Sequence, residues 1–187
     1  MRVLRDMLAF HIRTETNKHY SFKRDYFIIE DWAKHSLTSR LTREHIPCYK
    51  VLYIATGRGV LVAGMRKYSL SDGDVVFLRP DEIMGWKMMS DTIEGHFCFI
   101  HPAFFKHARH VLRMLLAFPH LQPSKALVTL NKIESDLVHQ SFRSMHQEAG
   151  SNFDDKKQAI LIHFQMMLLR VRRAGKEHNI TIPTIEN

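Results

Sequence analysis

The sequence predicts an α+β chain in which a small antiparallel β barrel or sandwich is followed by an antiparallel helical hairpin. Three observations carry this. Short segments rich in β-branched and aromatic residues fill the first half, about ten residues apart with turn residues between them. Near residue 102 the apolar period changes from that of a strand to that of a helix. Two long amphipathic stretches then follow, joined by a tight connection at Gly150-Ser151.

The elements follow in order. Tyr26 to Trp32 reads as an early strand. Tyr49 to Ala55 (YKVLYIA) is a second, stopped by Gly57-Arg58-Gly59. Val60 to Ala63 turns at Gly64, and Arg66 to Leu70 turns at Ser71-Asp72-Gly73-Asp74. Val75 to Leu78 leads into Arg79-Pro80-Asp81, and Gly95 to Ile100 ends at His101-Pro102. Pro102 suits the first turn of a helix over Ala103-Phe104-Phe105. Residues 108–117 form a short helix ended by Pro119. Asn131, with Glu134 three residues on, opens a helix over 131–148. Its apolar positions are Ile133, Leu137, Val138, Phe142 and Met145. A second long helix over 153–174 carries Ile160, Leu161, Phe164, Leu168 and Val171, and Gly175 closes it. The cations of its last turn, Arg170, Arg172, Arg173 and Lys176, complement the helix dipole.

Composition narrows the function classes. At 187 residues the chain can bury a core without disulfide or metal staples. With 45% hydrophobic and 25% charged residues, disorder and collagen-like structure are excluded. The net charge of +8 invites a nucleic-acid or anion partner without saying where the charge sits. Cys48 and Cys98 lie in strand-like apolar surroundings without CxxC spacing, as free buried thiols in a reducing cytoplasm would. No run reaches the length of about 18 apolar residues that a membrane span needs.

Common catalytic signatures are missing. The sequence has no GxxxxGK[ST], no GxGxxG after a strand, no GxSxG and no HExxH. The 13 histidines are scattered. His139 and His146 lie two helical turns apart, about 10 Å, too far to share one ion. His107 and His110 stand at i, i+3 with no carboxylate nearby in sequence.

One order of features is specific. A basic–His segment (Arg43-Glu44-His45) precedes the strand Tyr49–Thr56 and Gly57-Arg58-Gly59. After a hairpin comes Tyr68-Ser-Leu-Ser-Asp-Gly73-Asp74-Val-Val-Phe-Leu-Arg-Pro80-Asp-Glu-Ile, then an aromatic strand and His101-Pro102-Ala-Phe-Phe105. Over about residues 40–174 this resembles the cupin-type N-terminal sensor domain of AraC-family bacterial transcription regulators. The stretch EGHFCFIHPAFF is most similar to members from Bacteroidetes-type genomes. The helical half, with Met145-His-Gln-Glu148 and Leu168-Leu169-Arg170, resembles the linker and dimerisation segment of that family.

The resemblance implies a small jelly-roll, cupin-like barrel over 1–101 as the effector domain. It implies a helical linker and dimerisation segment over 102–176 and a tail, 177–187, toward a DNA-binding domain. The family's helix-turn-helix units are expected to lie outside these 187 residues, with DNA as a partner only through them. In metal-binding cupins, four ligand positions would fall on Arg43, His45, Lys50 and Gly85. Three of these cannot ligate and two are cations, so no metal and no other cofactor is expected, and no catalytic residue. A cytoplasmic sensor rather than an enzyme follows, with a stand-alone cupin binding protein or cupin enzyme as the alternative.

The strand period from Lys50 would point Leu52, Ile54 and Thr56 inward. Trp86 and Phe97 fall where sugar-sensing relatives carry aromatic ligand contacts. The candidate effector residues are therefore Arg43, His45, Lys50, Thr56, Trp86 and Phe97, for a sugar or an acidic metabolite. The long helices carry apolar residues around more than one face. Phe142, Met145, Phe164 and Met167 are the candidate contacts of a homodimer.

Overall fold

The computed structural model describes residues 27–32, 47–88, 90 and 92–177. Among them eight strands form two antiparallel sheets. The strands are β1 (Phe27–Asp31), β2 (Tyr49–Thr56), β3 (Gly59–Ala63) and β4 (Arg66–Leu70), then β5 (Asp74–Leu78), β6 (Met84–Met88), β7 (Glu94–Ile100) and β8 (Leu127–Thr129). The larger sheet has the order β1-β7-β2-β5-β8 and the smaller β4-β3-β6. Three helices follow the seventh strand: α1 (Arg109–Leu116), α2 (Lys132–Ala149) and α3 (Lys156–Glu177). Short 3-10 turns at Pro102–Phe105, Pro119–Leu121 and Pro123–Lys125 connect them.

The molecule has three layers, with the larger sheet in the middle. One face of β2, carrying Tyr49, Val51 and Tyr53, packs under the helices with Val75, Phe77, Cys98 and Ile100. The other face, with Leu52 and Ile54, meets Leu61, Ala63, Leu70 and Met84 of the smaller sheet. Every residue of β2 from Tyr49 to Ile54 is buried. A strand covered on both faces loses the polar–apolar alternation of a half-buried one, and YKVLYI is apolar except at Lys50.

The α+β class is as the sequence predicts, and the structure corrects its details. The two sheets do not close: no barrel is formed among the described residues. The sheet continues beyond residue 102, because β8 pairs antiparallel with β5 through Val75↔Val128. A three-residue strand is too short to announce itself by periodicity. β6 also has no counterpart in the sequence reading, since MGWKM carries glycine and lysine in place of β-branched residues. Pro102 opens a helix in its first turn as expected, of the 3-10 kind, with His101 Nδ1 accepting from the Ala103 N–H at 3.2 Å.

The helix starts are well specified. Asn131 Oδ1 accepts from the Glu134 N–H (3.0 Å) and Glu134 Oε2 from the Asn131 N–H (2.8 Å), a closed capping box. Gly175 does not end α3, which runs on to Glu177. That glycine lies against the ring of His120, where a Cβ would come within 2.5 Å of Nε2. It is required for close packing, not for a cap. The tail from residue 178 onward lies outside the described residues.

Phe142, Met145, Phe164 and Met167 are all buried inside the chain. The hairpin lays them on the larger sheet, so they are not free to contact a partner. Among the described residues, the large apolar side chains left exposed on the two hairpin helices are Ile133, Leu137, Ile162 and Met166. At about 100° per residue these lie round the helices from the buried stripes.

Gly95 anchors the central strands. Its φ is +133°, and a Cβ there would collide with the Tyr53 carbonyl oxygen. The β2–β7 register shifts beside it, between Ile54 and Thr56. Gly95→Ala is therefore expected to cost about 2 kcal/mol or more, since it adds left-handed strain to a backbone clash. Urea unfolding followed by far-UV circular dichroism would measure it, and a midpoint equal to wild type would contradict this account.

Candidate functional site

Lys50 is the one charged residue in the run of β2 between the sheets. Its side chain faces the smaller sheet, as the strand period predicts, and the residue is fully buried. Register places it between Leu78 of β5 and Phe99 of β7. Nζ donates to the Arg79 carbonyl and the Glu82 carbonyl, each at 2.9 Å. These carbonyls belong to a tight turn in which the Glu82 N–H donates to Arg79 O at 3.2 Å and Glu82 Oε2 accepts from the Arg79 N–H at 2.7 Å. The ammonium thus fastens the 79–82 turn to the central sheet.

Burial lowers the Lys50 pKa to about 8, with the Glu82 and Asp81 carboxylates pulling it back up. An ammonium has three N–H donors. Among the described residues two of the three have acceptors, which leaves one for a carboxylate or phosphate oxygen.

Phe97 is the second expected site residue that the structure places on this inner face. It is buried, 4.7 Å from Trp32 and 5.3 Å from Phe99 between ring centroids. Trp32 Nε1 donates to the Tyr53 carbonyl at 3.0 Å. The sequence reading passed over Trp32, although an aromatic residue at the end of an early strand was in view. Cys48, Leu52, Ile54, Val76 and Leu78 contribute apolar side chains to the same cluster.

Thr56 does not belong to the site. It is exposed at the end of β2, beyond the register shift that breaks the alternation on which its inward assignment rested. Trp86 lies in β6 opposite Leu61. Arg43 and His45 lie outside the described residues. Gly85, which carries no ligating side chain, is opposite Val62. Among the described residues no group of three or more His, Cys, Asp or Glu is placed to hold a metal ion.

On the other face of the larger sheet the structure gathers three histidines that look scattered in sequence. His96 of β7 points under α2, where its ring centroid is 5.1 Å from that of His139 and 6.4 Å from that of His146. It stacks on Phe142 at 5.6 Å, and Phe142 stacks on Tyr53 at 5.5 Å. The Tyr53 hydroxyl is bound by Ser135 of α2, 2.8 Å from its Oγ. The seven-residue spacing that excludes a shared ion for His139 and His146 puts both on the face of α2 that meets a strand histidine.

His96 is buried, and among the described residues neither ring nitrogen makes a hydrogen bond of ordinary geometry. Burial lowers its pKa to about 4, and neighbouring His139 adds to the effect. Asp31 and the Glu30 backbone offset this only in part. The His139 pKa is also lowered, first by burial and then by Arg143, against Asp31, Asp136 and Glu94.

No protein-family model matches the sequence, and no curated protein matches it. The likeness is to solved structures. An apo variant of ToxT from Vibrio cholerae strain SCE256 aligns with a TM-score of 0.51 at 16% identity, over 80% of this chain and 57% of that one. The described layers have the fold of the matched part of ToxT. This chain spans a little over half the ToxT chain. ToxT of the same strain with an unsaturated fatty acid bound aligns with a TM-score of 0.42 at 17% identity, over 87% of this chain and 58% of that one. The AraC-like transcriptional activator CuxR gives 0.45 at 15% identity, over 70% and 43%. No helix among the described residues is long and apolar enough to cross a membrane.

The histidine seam gives a signed prediction. An unfolded His titrates near 6.5, whereas folded His96 holds off its proton until about pH 4. Between these values the unfolded chain binds the extra proton, so stability falls as pH drops from about 6.5 toward 4 and is unaffected above. His96→Phe is expected to remove about 2 kcal/mol of the loss between pH 6.5 and 5 while matching wild type at pH 7. Urea midpoints of both proteins across that range would check it. Parallel pH profiles for the two would show that His96 does not carry the effect.

Proposed function

We propose that this chain is the ligand-sensing regulatory domain of an AraC-type transcription regulator. In this reading it is a cytoplasmic sensor, not an enzyme. It binds a small molecule with an anionic head group and an apolar body. Lys50 is the observation that carries the reading: a buried ammonium that finds acceptors for two of its three N–H groups among the described residues, set among apolar side chains. Taking a charge out of water is costly, and a bound carboxylate would recover part of that cost by completing the donor set. The fold likeness to ToxT supports the assignment, and the order of features from Arg43 to Phe105 supports the family. ToxT has also been solved with an unsaturated fatty acid, a molecule of one carboxylate and a long apolar tail.

A ligand oxygen at the third N–H would sit beside the Arg79 and Glu82 carbonyls on the same ammonium, so binding is coupled to the hold of Lys50 on the 79–82 turn. Dimerisation in this reading uses the outer faces of the hairpin, where Ile133 and Leu137 of α2 and Ile162 and Met166 of α3 are exposed. Arg170 ties the two helices together there, donating to the Leu137 carbonyl and to Ser141 Oγ.

The test is a thermal-shift screen of fatty acids, organic acids and sugar acids against the whole chain, each paired with its neutral alcohol or amide. A carboxylate is expected to raise the melting temperature, its neutral partner to have little effect, and affinity to fall above about pH 8 as Lys50 loses its proton. Lys50→Met, which keeps the length and apolar stem, is expected to abolish the shift while circular dichroism remains native. A shift that survives Lys50→Met, or is equal for the neutral partner, overturns the site. For the dimer, sedimentation equilibrium at micromolar concentration is expected to show a dimer that Ile162→Asp with Met166→Asp dissociates. A wild-type monomer overturns that part.

A further inference from the structure

From Gly95 to Ile133 the sequence contains no Asp or Glu, yet it carries Lys106, Arg109, Arg113, Lys125 and Lys132. The fold turns this bias into a surface. α1 buries Val111 and Leu115 and exposes Arg109 and Arg113, one helical turn apart and about 6 Å along the axis. Lys106 is exposed just before it. Among the described residues, Lys106, Arg109 and Arg113 take part in no ion pair and no side-chain hydrogen bond.

The surface continues past α1. Lys125 is exposed, and its carbonyl holds His120 Nδ1 at 2.7 Å. The His120 ring in turn lies against Gly175 of α3, and Arg172 and Arg173, in the preceding turn of that helix, are exposed. Acidic residues lie at both ends of α3, with Asp154 and Asp155 in the turn before it and Glu177 as its last residue. Exposed apolar residues on this strip are few, with Leu116 the principal one. Protein-docking faces are built around buried aromatic or aliphatic anchors. A strip of unpaired cations with little apolar surface suits a regular array of phosphates better.

We propose that the exposed face of α1, with Lys106 before it and Lys125 beyond it, is a contact surface for the phosphate backbone of duplex DNA, independent of base sequence. Such contacts release condensed counterions and so confer affinity and position without reading bases. The surface goes beyond the sensor reading. In a regulator it would hold the sensing domain against DNA that another domain reads, but the binding itself does not depend on the effector site.

The experiment is fluorescence anisotropy of a labelled duplex of about 20 base pairs and arbitrary sequence, titrated with the 187-residue chain from about 50 to about 200 mM salt. Affinity is expected to fall linearly on log–log axes. Arg109→Ala with Arg113→Ala is expected to weaken binding about tenfold and to reduce the salt slope by about two. Both side chains are exposed and unpaired, so the variant should melt with wild type. Arg66→Ala with Lys67→Ala, exposed on β4 of the smaller sheet, is the control and should bind as wild type. Binding unchanged in the α1 variant, or equal loss in the β4 control, overturns the proposal in favour of diffuse attraction by net charge. Competition by poly-glutamate equal to that by unlabelled duplex overturns it in favour of an acidic protein partner. A failed effector screen leaves these titrations unaltered, so the two readings fail separately.

Discussion

The five-stranded sheet is covered on both faces, and the rest of the molecule is arranged around that constraint. The smaller sheet packs on one side and the helices on the other, so β2, β5 and β7 have no solvent face over most of their length. A strand in that position must be apolar at nearly every residue, because each side chain, odd or even, enters a core. Burying each large aliphatic or aromatic side chain contributes about 1.5–3 kcal/mol. The two large clusters, each drawing on all three of these strands, hold the layers together. The helical hairpin is part of this arrangement and not an appendage, since Phe142 and Phe164 rest on the same sheet that the smaller one covers from behind.

The chemistry sits where that rule is broken. Two polar residues of the central strands point into the two cores on opposite sides of the sheet. Lys50 meets the smaller sheet and keeps its charge by donating to two carbonyls of a turn. His96 meets the helices among aromatic rings, and burial lowers its pKa, with Asp31 and the Glu30 backbone offsetting this only in part. The contrast is one of available partners: a cation with hydrogen bonds to oxygen is tolerated in a core, and one without them is not. Local departures from an apolar pattern commonly mark functional or strained positions.

Surface charge is organised by the same packing. Val111 and Leu115 dock α1 on the core and so turn its arginines outward. The cation expected to complement the dipole of α3 at Arg170 instead spans to α2, where it binds Ser141 Oγ at 2.8 Å. Arg172 and Arg173, further along the same turn, remain exposed. A net charge of +8 thus resolves into structural cations and free ones, a division that composition does not contain.

The sequence by itself determined the local structure. Turn residues bounded the strands around Gly57, Gly64 and Gly73. Asn131 and Glu134 placed the start of α2, and the alternation from Lys50 through Leu52 to Ile54 gave the correct inner face. These are properties of neighbours along the chain, and period and capping report them directly. Tertiary structure alone decided what each face would meet. It joined β8 to a sheet that had ended some 27 residues before it in the chain. It turned Thr56 out by a register shift that arises from pairing with Gly95. It made one seam of His96, His139 and His146, and it spent Phe142, Met145, Phe164 and Met167 on the sheet. An amphipathic pattern states that a face must be covered; only the assembled layers determine whether a sheet, a helix or a second molecule covers it.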